Sequence, residues 1–312
     1  MSYEPPSSSD DDTRSTATHP PCVLAFNAGD PSGAGGLTAD VATVAAMGGH
    51  PAAVVTGAYV RDTERIYDHF SLDDEAVHEQ ARTALEDLPV QAIKVGFVGS
   101  VENLSAIAEL AADYAELPVV SYMPHLSWWQ EPHIDQYLDA FRELLLPQTS
   151  VLVGNHSTLW RWLLPDWSGE RSPTARDIAA AAADMGVPYT LVTGIPLPAH
   201  HVENVLASPE TVHCHVRCEL FDATFTGAGD TLSAALAALL ACGTDLTTAC
   251  TEALAFLDRC LEAGFRPGMG HAIPDRMFWA EPEDSETPSP EADKDDAPTL
   301  EGYGFPCHDT KH

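Results

Sequence analysis

The sequence predicts an α/β fold in which a mainly parallel central sheet carries helices on both faces. Short apolar runs without polar alternation, the pattern of strands buried on both sides, recur along the chain. Amphipathic stretches of helical length separate them. Glycine-rich turns follow the first of these strands and precede a late apolar helix, and turns at the carboxyl ends of strands are where such sheets bind ligands.

In chain order, Val23–Ala28 is a short apolar run closed by glycine, and Leu37–Met47 follows as a helix. Ala53–Val60 is strand-like, Glu75–Leu85 helical and Ala92–Val98 strand-like. Glu102–Ala115 continues as a helix, Pro118–Met123 as a strand and Ile134–Leu146 as a helix. Val151–Gly154 is a strand, Thr174–Met185 a helix and Tyr189–Val192 a strand. Asn204–Leu206 and Val212–Cys218 fit a β-meander, and Asp230–Ala241 and Leu246–Ala263 are two closing helices. The stretches 1–20 and 282–312 are acidic, polar and proline-containing, the composition of disordered tails around one folded domain at 21–281.

Among 312 residues, 15 basic side chains face 47 acidic ones, a net charge of −32. Such a field repels nucleic acid and anionic membranes. It also opposes phosphate binding, so any nucleotide site needs local N–H donors or a cation. Seven cysteines without framework spacing fit a reducing cytoplasm. The first residues lack the basic start and apolar run of a signal peptide. No stretch approaches membrane-spanning length.

Two glycine-rich segments carry the chemistry. Thr226-Gly227-Ala228-Gly229-Asp230-Thr231 opens into the apolar run Leu232–Ala241. Glycines let backbone N–H groups close on an anion, and the following helix points its positive end at the same spot. Asp230 sits where it can take a proton from an attacking hydroxyl, so the segment suggests phosphoryl transfer to an alcohol. The second segment, Ala28-Gly29-Asp30-Pro31-Ser32-Gly33-Ala34-Gly35-Gly36, directly follows the first strand. It lacks the Gly-Lys-Ser/Thr of a P-loop and the spacing of a dinucleotide fingerprint.

Together the two loops resemble the ribokinase-like superfamily, a three-layer sandwich. Within it they look like the hydroxymethylpyrimidine/phosphomethylpyrimidine kinases of thiamine biosynthesis. The first loop through Asp40 is similar to that family's AG(S/T)DPSGGAGIQAD, and Val54–Thr63 to its (S)VITALTAQNT. Lys94-Val95-Gly96-Phe97 looks like its KIGM, and Leu144–Pro147 followed by Val153–Asn155 like its LLP…TPN. Pro267–His271 on to Phe278–Ala280 resembles its closing G-x-GH…FF segment. The likeness covers roughly residues 22–280 with the motifs in order.

That resemblance implies ATP and Mg²⁺ as cosubstrates, a small pyrimidine alcohol as acceptor, and a homodimer. It places Asp40, Arg61, Phe97 and Ala28 at the pyrimidine, with Arg61 where the family has a Gln and Phe97 where it has a Met. Gly227, Ala228 and Gly229 match the anion hole. Asp230 stands where the family usually has Cys, and where other ribokinase-like enzymes have the catalytic base. Asn155, Thr193, Gly194 and Thr226 fall on the nucleotide side. There are departures. The NLPE segment reads Asn155-His156-Ser157-Thr158, (L/V)LDPV reads Val120-Ser121-Tyr122-Met123-Pro124, and KGGH reads Val192-Thr193-Gly194-Ile195. Two acids and a lysine are thereby lost, and no residue is assigned to the metal. A pyridoxal kinase-like enzyme, which also carries Gly-x-Gly-Asp, is the nearest alternative. A pyrimidine-binding descendant without catalysis is the other, suggested by Thr158, Tyr122 and Thr193.

Other clusters are discounted. His213 and His215 face one side of a strand while Cys214 and Cys218 face the other, which does not make a metal cluster. Trp128-Trp129 and Trp160/Trp162 are expected in packing or at a dimer face, with an aromatic lid as the alternative.

Overall fold

Buried aliphatic runs make the centre of the molecule a sheet. The computed structural model describes residues 19–280; apart from residues 19 and 20, the tails expected at 1–20 and 282–312 lie outside that range. The strands are β1 (Cys22–Gly29), β2 (His50–Arg61), β3 (Ile66–Ser71), β4 (Val90–Val95), β5 (Val119–Met123), β6 (Val151–Asn155), β7 (Tyr189–Leu197), β8 (His201–Ala207) and β9 (Val212–Glu219). The helices are α1 (Gly36–Ala46), α2 (Asp74–Asp87), α3 (Val101–Asp113), α4 (Glu131–Ala140), α5 (His156–Leu163), α6 (Ala175–Ala183), α7 (Ala228–Ala241) and α8 (Leu246–Glu262).

All nine strands form one sheet in the order β3-β2-β1-β4-β5-β6-β7-β8-β9. From β2 to β7 the pairing is parallel, and β3, β8 and β9 pair antiparallel with their neighbours. Two apolar cores lie on opposite faces. One joins the sheet to α2–α6 through residues such as Phe26, Ile107, Tyr137 and Ile178. The other joins it to α1, α7 and α8 through Val44, Leu236 and Phe256. This is the three-layer α/β sandwich that the sequence predicts.

Helix α7 is apolar on every side, and Thr231 to Leu239 are all buried, the pattern of a helix enclosed all round. It packs on α1, α8 and the strands β1, β4, β5 and β6. Its first turn therefore emerges at the carboxyl ends of the central strands.

Some elements depart from expectation. β3 was not anticipated, because Tyr67, Asp68 and His69 sit on an edge strand with little apolar burial. The eight-residue α5 follows β6 without a loop, Asn155 both ending the strand and capping the helix by accepting from the Ser157 N–H. The helix expected over Ile134–Leu146 runs as α4 into a π-helical turn at Phe141–Leu145 and a 3-10 turn at Leu146–Gln148. Pro147 lies in that turn, where a continuing α-helix would need its missing N–H.

One buried amide fastens the middle of β2 to the segments that follow β3 and β4. Asn103, fully enclosed on α3, donates from Nδ2 to the carbonyls of Val98 (2.9 Å), Thr56 (3.3 Å) and Leu72 (3.3 Å). Asn103→Ala removes this donor from the Val98 and Leu72 carbonyls, while Thr56 O keeps the Leu72 N–H, and we expect it to lower the unfolding free energy by about 1–3 kcal/mol, measured by urea denaturation.

Candidate active site

The two glycine-rich loops meet. Loop 29–36 leaves β1 and starts α1, and the segment 226–230 starts α7 beside it. Gly227 has φ +89°, and a Cβ there would collide with the Ala34 carbonyl and crowd the Arg276 guanidinium. Only glycine fits, on both counts. α7's bonding begins with Thr231 N–H donating to Gly227 O (2.9 Å). The N–H groups of Ala228, Gly229 and Asp230 thus precede the first intrahelical bond and form its electropositive end.

Three donors hold Asp230. Oδ1 accepts from Lys94 Nζ (3.0 Å) and Asn27 Nδ2 (2.9 Å), and Oδ2 from the Gly36 N–H (2.9 Å). Burial pushes its carboxyl up, but Lys94, the Gly36 N–H and Asn27 outweigh that and hold it below the usual carboxylate range. Its side chain keeps 15% exposure while Lys94 has none.

Lys94 also lies 2.7 Å from Asp40 Oδ1 and 2.8 Å from Oδ2, and only the Oδ2 approach has hydrogen-bonding geometry. Burial pushes Asp40 up to about 6, with Lys94 opposing and the Asp230 charge adding to the rise. Burial pulls the Lys94 ammonium down, but the two carboxylates override it and raise its pKa. Asp40, expected at the pyrimidine, is fully buried beneath this lysine. Its Oδ2 accepts from both Lys94 and Asn27, while Oδ1 lies against the ammonium without a hydrogen bond.

The other residues expected at the pyrimidine lie around loop 29–36. Ala28 is buried and its N–H donates to Phe97 O (3.1 Å). Arg61 Nη1 sits 3.3 Å from Asp30 Oδ2 with its side chain 7% exposed, so its charge is met by an acid of the loop. Asp30 also holds the loop's turn by accepting from Ser32 and the Gly35 N–H. Phe97 is enclosed by aromatics. Tyr59 stacks on it at 5.7 Å and 18°, and Trp128 and Trp129 meet it edge-on at 5.5 and 5.3 Å. Both tryptophans thus line an aromatic nest.

On the other side of α7's first turn, a cavity of about 350 Å³ gathers Asn155, Thr193, Gly194 and Ala228. Apolar side chains Leu254 and Leu257 of α8 and Phe225 form its wall, with Asp258 at its edge. Thr226 lies next to it, its hydroxyl 3.1 Å from His271 Nδ1.

Three functional features were not anticipated. Asn27 and Lys94 grip Asp230; a lysine inside an apolar strand was the available signal, since buried lysines are paired. Arg276, buried near the end of the folded chain, donates from Nε to Thr231 Oγ1 (2.9 Å), from Nη1 to Gly33 O (3.2 Å) and from Nη2 to Ala34 O (2.5 Å). It ties one loop to the other. Tyr122 lies flat against Gly229, where a Cβ would collide with its ring and hydroxyl. No sequence pattern signals the last two, because both contacts are long-range.

Lys94→Met leaves two buried carboxylates facing each other. Breaking such a pair costs about 3–5 kcal/mol. Without the lysine both acids have raised pKa values, so protonation relieves the repulsion as pH falls. The stability deficit, read by urea denaturation, is therefore expected to be larger at pH 8 than at pH 5, and Asp40→Asn in the same chain should recover part of it.

Comparisons with known proteins bear on the family and the fold. The phosphomethylpyrimidine kinase family model matches residues 30–275. A hydroxymethylpyrimidine/phosphomethylpyrimidine kinase of Mycobacterium tuberculosis is 29% identical over 271 residues, covering 83% of this chain and 94% of that protein. One from Streptomyces coelicolor is 29% identical over 255 residues, covering 80% and 92%. Among solved structures, the ADP complex of Bacillus subtilis pyridoxal kinase superposes with a TM-score of 0.73 at 22% identity, covering 83% of this chain and 98% of that one. Two glycine-rich loops closing on one helix start, in a chain matched by the family model over most of its length, place this protein in the phosphomethylpyrimidine kinase family.

Proposed function

We propose that the chain, through a single domain at 21–281, transfers the γ-phosphoryl group of ATP to the hydroxymethyl group of 4-amino-5-hydroxymethyl-2-methylpyrimidine. A second transfer to the monophosphate then yields the diphosphate used to make thiamine diphosphate. One observation carries the reading: an ionised carboxylate, Asp230, stands in the first turn of a helix whose leading N–H groups face the same spot. The names of the relatives support the acceptor and the two steps, and the ADP complex of the B. subtilis neighbour supports the nucleotide.

The acceptor hydroxyl approaches the exposed part of Asp230 and gives up its proton there as its oxygen bonds to the γ-phosphorus. The bond from that phosphorus to the β,γ-bridging oxygen breaks, and ADP leaves. The N–H groups of the 227–229 loop and of Asp230 hold the charge on the transferring oxygens, each such donor being worth about 10²–10³ in rate. The cavity beside Ala228 takes the nucleoside, with Asn155, Thr193, Gly194 and Thr226 around it. Arg61, paired with Asp30, keeps the acceptor side of the loop in place.

Mg²⁺ is expected with ATP, but the chain's own donors do not suit it. Among the described residues no group of three or more His, Cys, Asp or Glu can hold a metal, and Lys94 engages both Asp40 and Asp230. Mg²⁺ at other kinase sites leans on substrate phosphates, and no step above runs through it.

Pyridoxal is the second acceptor to consider, because Asp230 and the B. subtilis neighbour both point to it. Purified chain with ATP and Mg²⁺ is expected to phosphorylate the pyrimidine alcohol faster than pyridoxal, read as mono- and diphosphate products by mass spectrometry. A faster rate on pyridoxal overturns the acceptor. Binding of ADP and pyrimidine without turnover overturns catalysis. Asp230→Asn should lower kcat by about 10²–10⁴ while ADP affinity stays within a few-fold; an unchanged kcat removes the base.

The homodimer is also a proposal, placed at the β2–β3 edge. Tyr67, Phe70 and Leu72 are exposed there on a strand with one free side. Light scattering should give twice the chain mass, and Phe70→Asp should shift it to one chain mass.

A further inference from the structure

The His213–Cys218 run is left unused by phosphoryl transfer. β9 alternates as strands do. His213 packs edge-on against Tyr189 at 5.2 Å, and His215 Nδ1 lies 3.1 Å from Glu203. Cys214 points the other way, into the core shared with α8. There its Sγ is 3.6 Å from Cys250 Sγ. Cys214 is half-buried and Cys250 is fully enclosed. Among the described residues no other two sulfurs lie within hydrogen-bonding distance.

We propose that Cys214 and Cys250 form a thiol–disulfide exchange site that reacts with low-molecular-weight disulfides and closes to an internal Cys214–Cys250 bond. The 3.6 Å separation leaves the sulfurs in van der Waals contact, and closing to the roughly 2.05 Å of a disulfide takes side-chain rotation with a small approach of α8 to β9.

The order of attack follows from the two environments. Cys214 is drawn down to about 6, chiefly by its hydrogen bond with Cys250. Cys250 is pushed up by that same bond and then by burial. Cys214 is half-buried and Cys250 fully enclosed, so Cys214 is the sulfur that an incoming disulfide meets first, and as the thiolate it is the nucleophile. Cys214 S⁻ attacks one sulfur of RSSR, breaking its S–S bond and releasing RS⁻, which takes a proton from water. Cys250 then gives its proton to the departing group as its sulfur attacks Cys214 Sγ and displaces the second RS⁻. Two thiols lose two electrons in all, and RSSR becomes two RSH.

The bond would join two walls of the 350 Å³ cavity, since Cys218 and Glu219 of β9 line it opposite Leu254, Leu257 and Asp258 of α8. The chemistry does not rest on the kinase reading.

The test treats the full chain with oxidised glutathione, quenches in acid, alkylates under denaturing conditions and maps peptides by mass spectrometry. Peptides containing Cys214 and Cys250 are expected as one cross-linked species, two hydrogen atoms lighter than the sum of the reduced peptides and restored by dithiothreitol. Cys250→Ser should stop the reaction at a stable glutathione adduct on Cys214, and Cys214→Ser should leave Cys250 fully alkylated. A full chain in which Cys214 carries glutathione while Cys250 alkylates freely, or in which Cys214 links to Cys218, overturns the proposal.

Discussion

The buried ammonium of Lys94 is the constraint on which the site depends. It lies 2.7 and 2.8 Å from the two oxygens of Asp40 and 3.0 Å from Asp230. Neither acid is tolerable in that interior without it, because an isolated buried carboxylate either takes a proton or destabilises the fold. One lysine on β4 thereby fixes an acid on α1 and an acid on α7. These elements arrive from distant parts of the sequence, and Asn27 and the Gly36 N–H reinforce the register that the lysine sets. The residual imbalance of one cation against two anions explains the unequal response of the acids. Asp40, fully enclosed, is raised, and Asp230, with an N–H donor and a partly open face, is lowered.

Around that centre the two glycine-rich loops are fastened twice. The Gly36 N–H donates to Asp230, and Arg276 bridges the Gly33 and Ala34 carbonyls to Thr231. These bonds run in opposite chemical senses. The first brings a donor of loop 29–36 to the acid of α7, and the second brings a cation to that loop's carbonyls. The close approach demands that Gly227 carry no side chain. Glycine here serves contact between two backbones as well as the turn itself, and for that reason the segment reads so clearly in the sequence.

Legibility followed the range of the physics. The sheet and its helices could be read from local burial patterns, and the loops from glycine spacing. β3 could not, because an exposed edge strand has no apolar alternation to show. α5 could not, because its cap is the last residue of β6. At the site, Asp230 and the helix start were visible because their chemistry is local. Asp40 was placed at the ligand by resemblance, whereas in the fold it lies beneath Lys94. That difference depends on which side chain of another strand reaches it, and no single segment records this. Arg276 was missed on the same ground, and Tyr122, singled out only as a departure from the family pattern, gave no sign of its contact with Gly229: each acts on a residue more than forty or a hundred positions away.

The acidic surface sets the last problem. Under the proposed reading, a chain of net charge −32 gathers a polyanion at a site that itself holds Asp30, Asp40 and Asp230. Coulomb repulsion from distant surface charge is screened within about 10 Å at ordinary ionic strength, so the local inventory decides. Locally, the single charge of Lys94 is shared between two acids, Arg61 is met by Asp30, and Arg276 is a buried guanidinium bonded, among the described residues, to two carbonyls and a hydroxyl. Arg276 therefore contributes a positive charge next to Gly227 that no contacting carboxylate cancels, and the first-turn N–H groups of α7 add their dipole to it. The phosphate site under this reading is built from a buried arginine and backbone donors. Such a site is compatible with Tyr122 lying against Gly229 where the family pattern loses an acid: with fewer carboxylates in the cleft, less cation is needed to make it hospitable to a phosphoryl group.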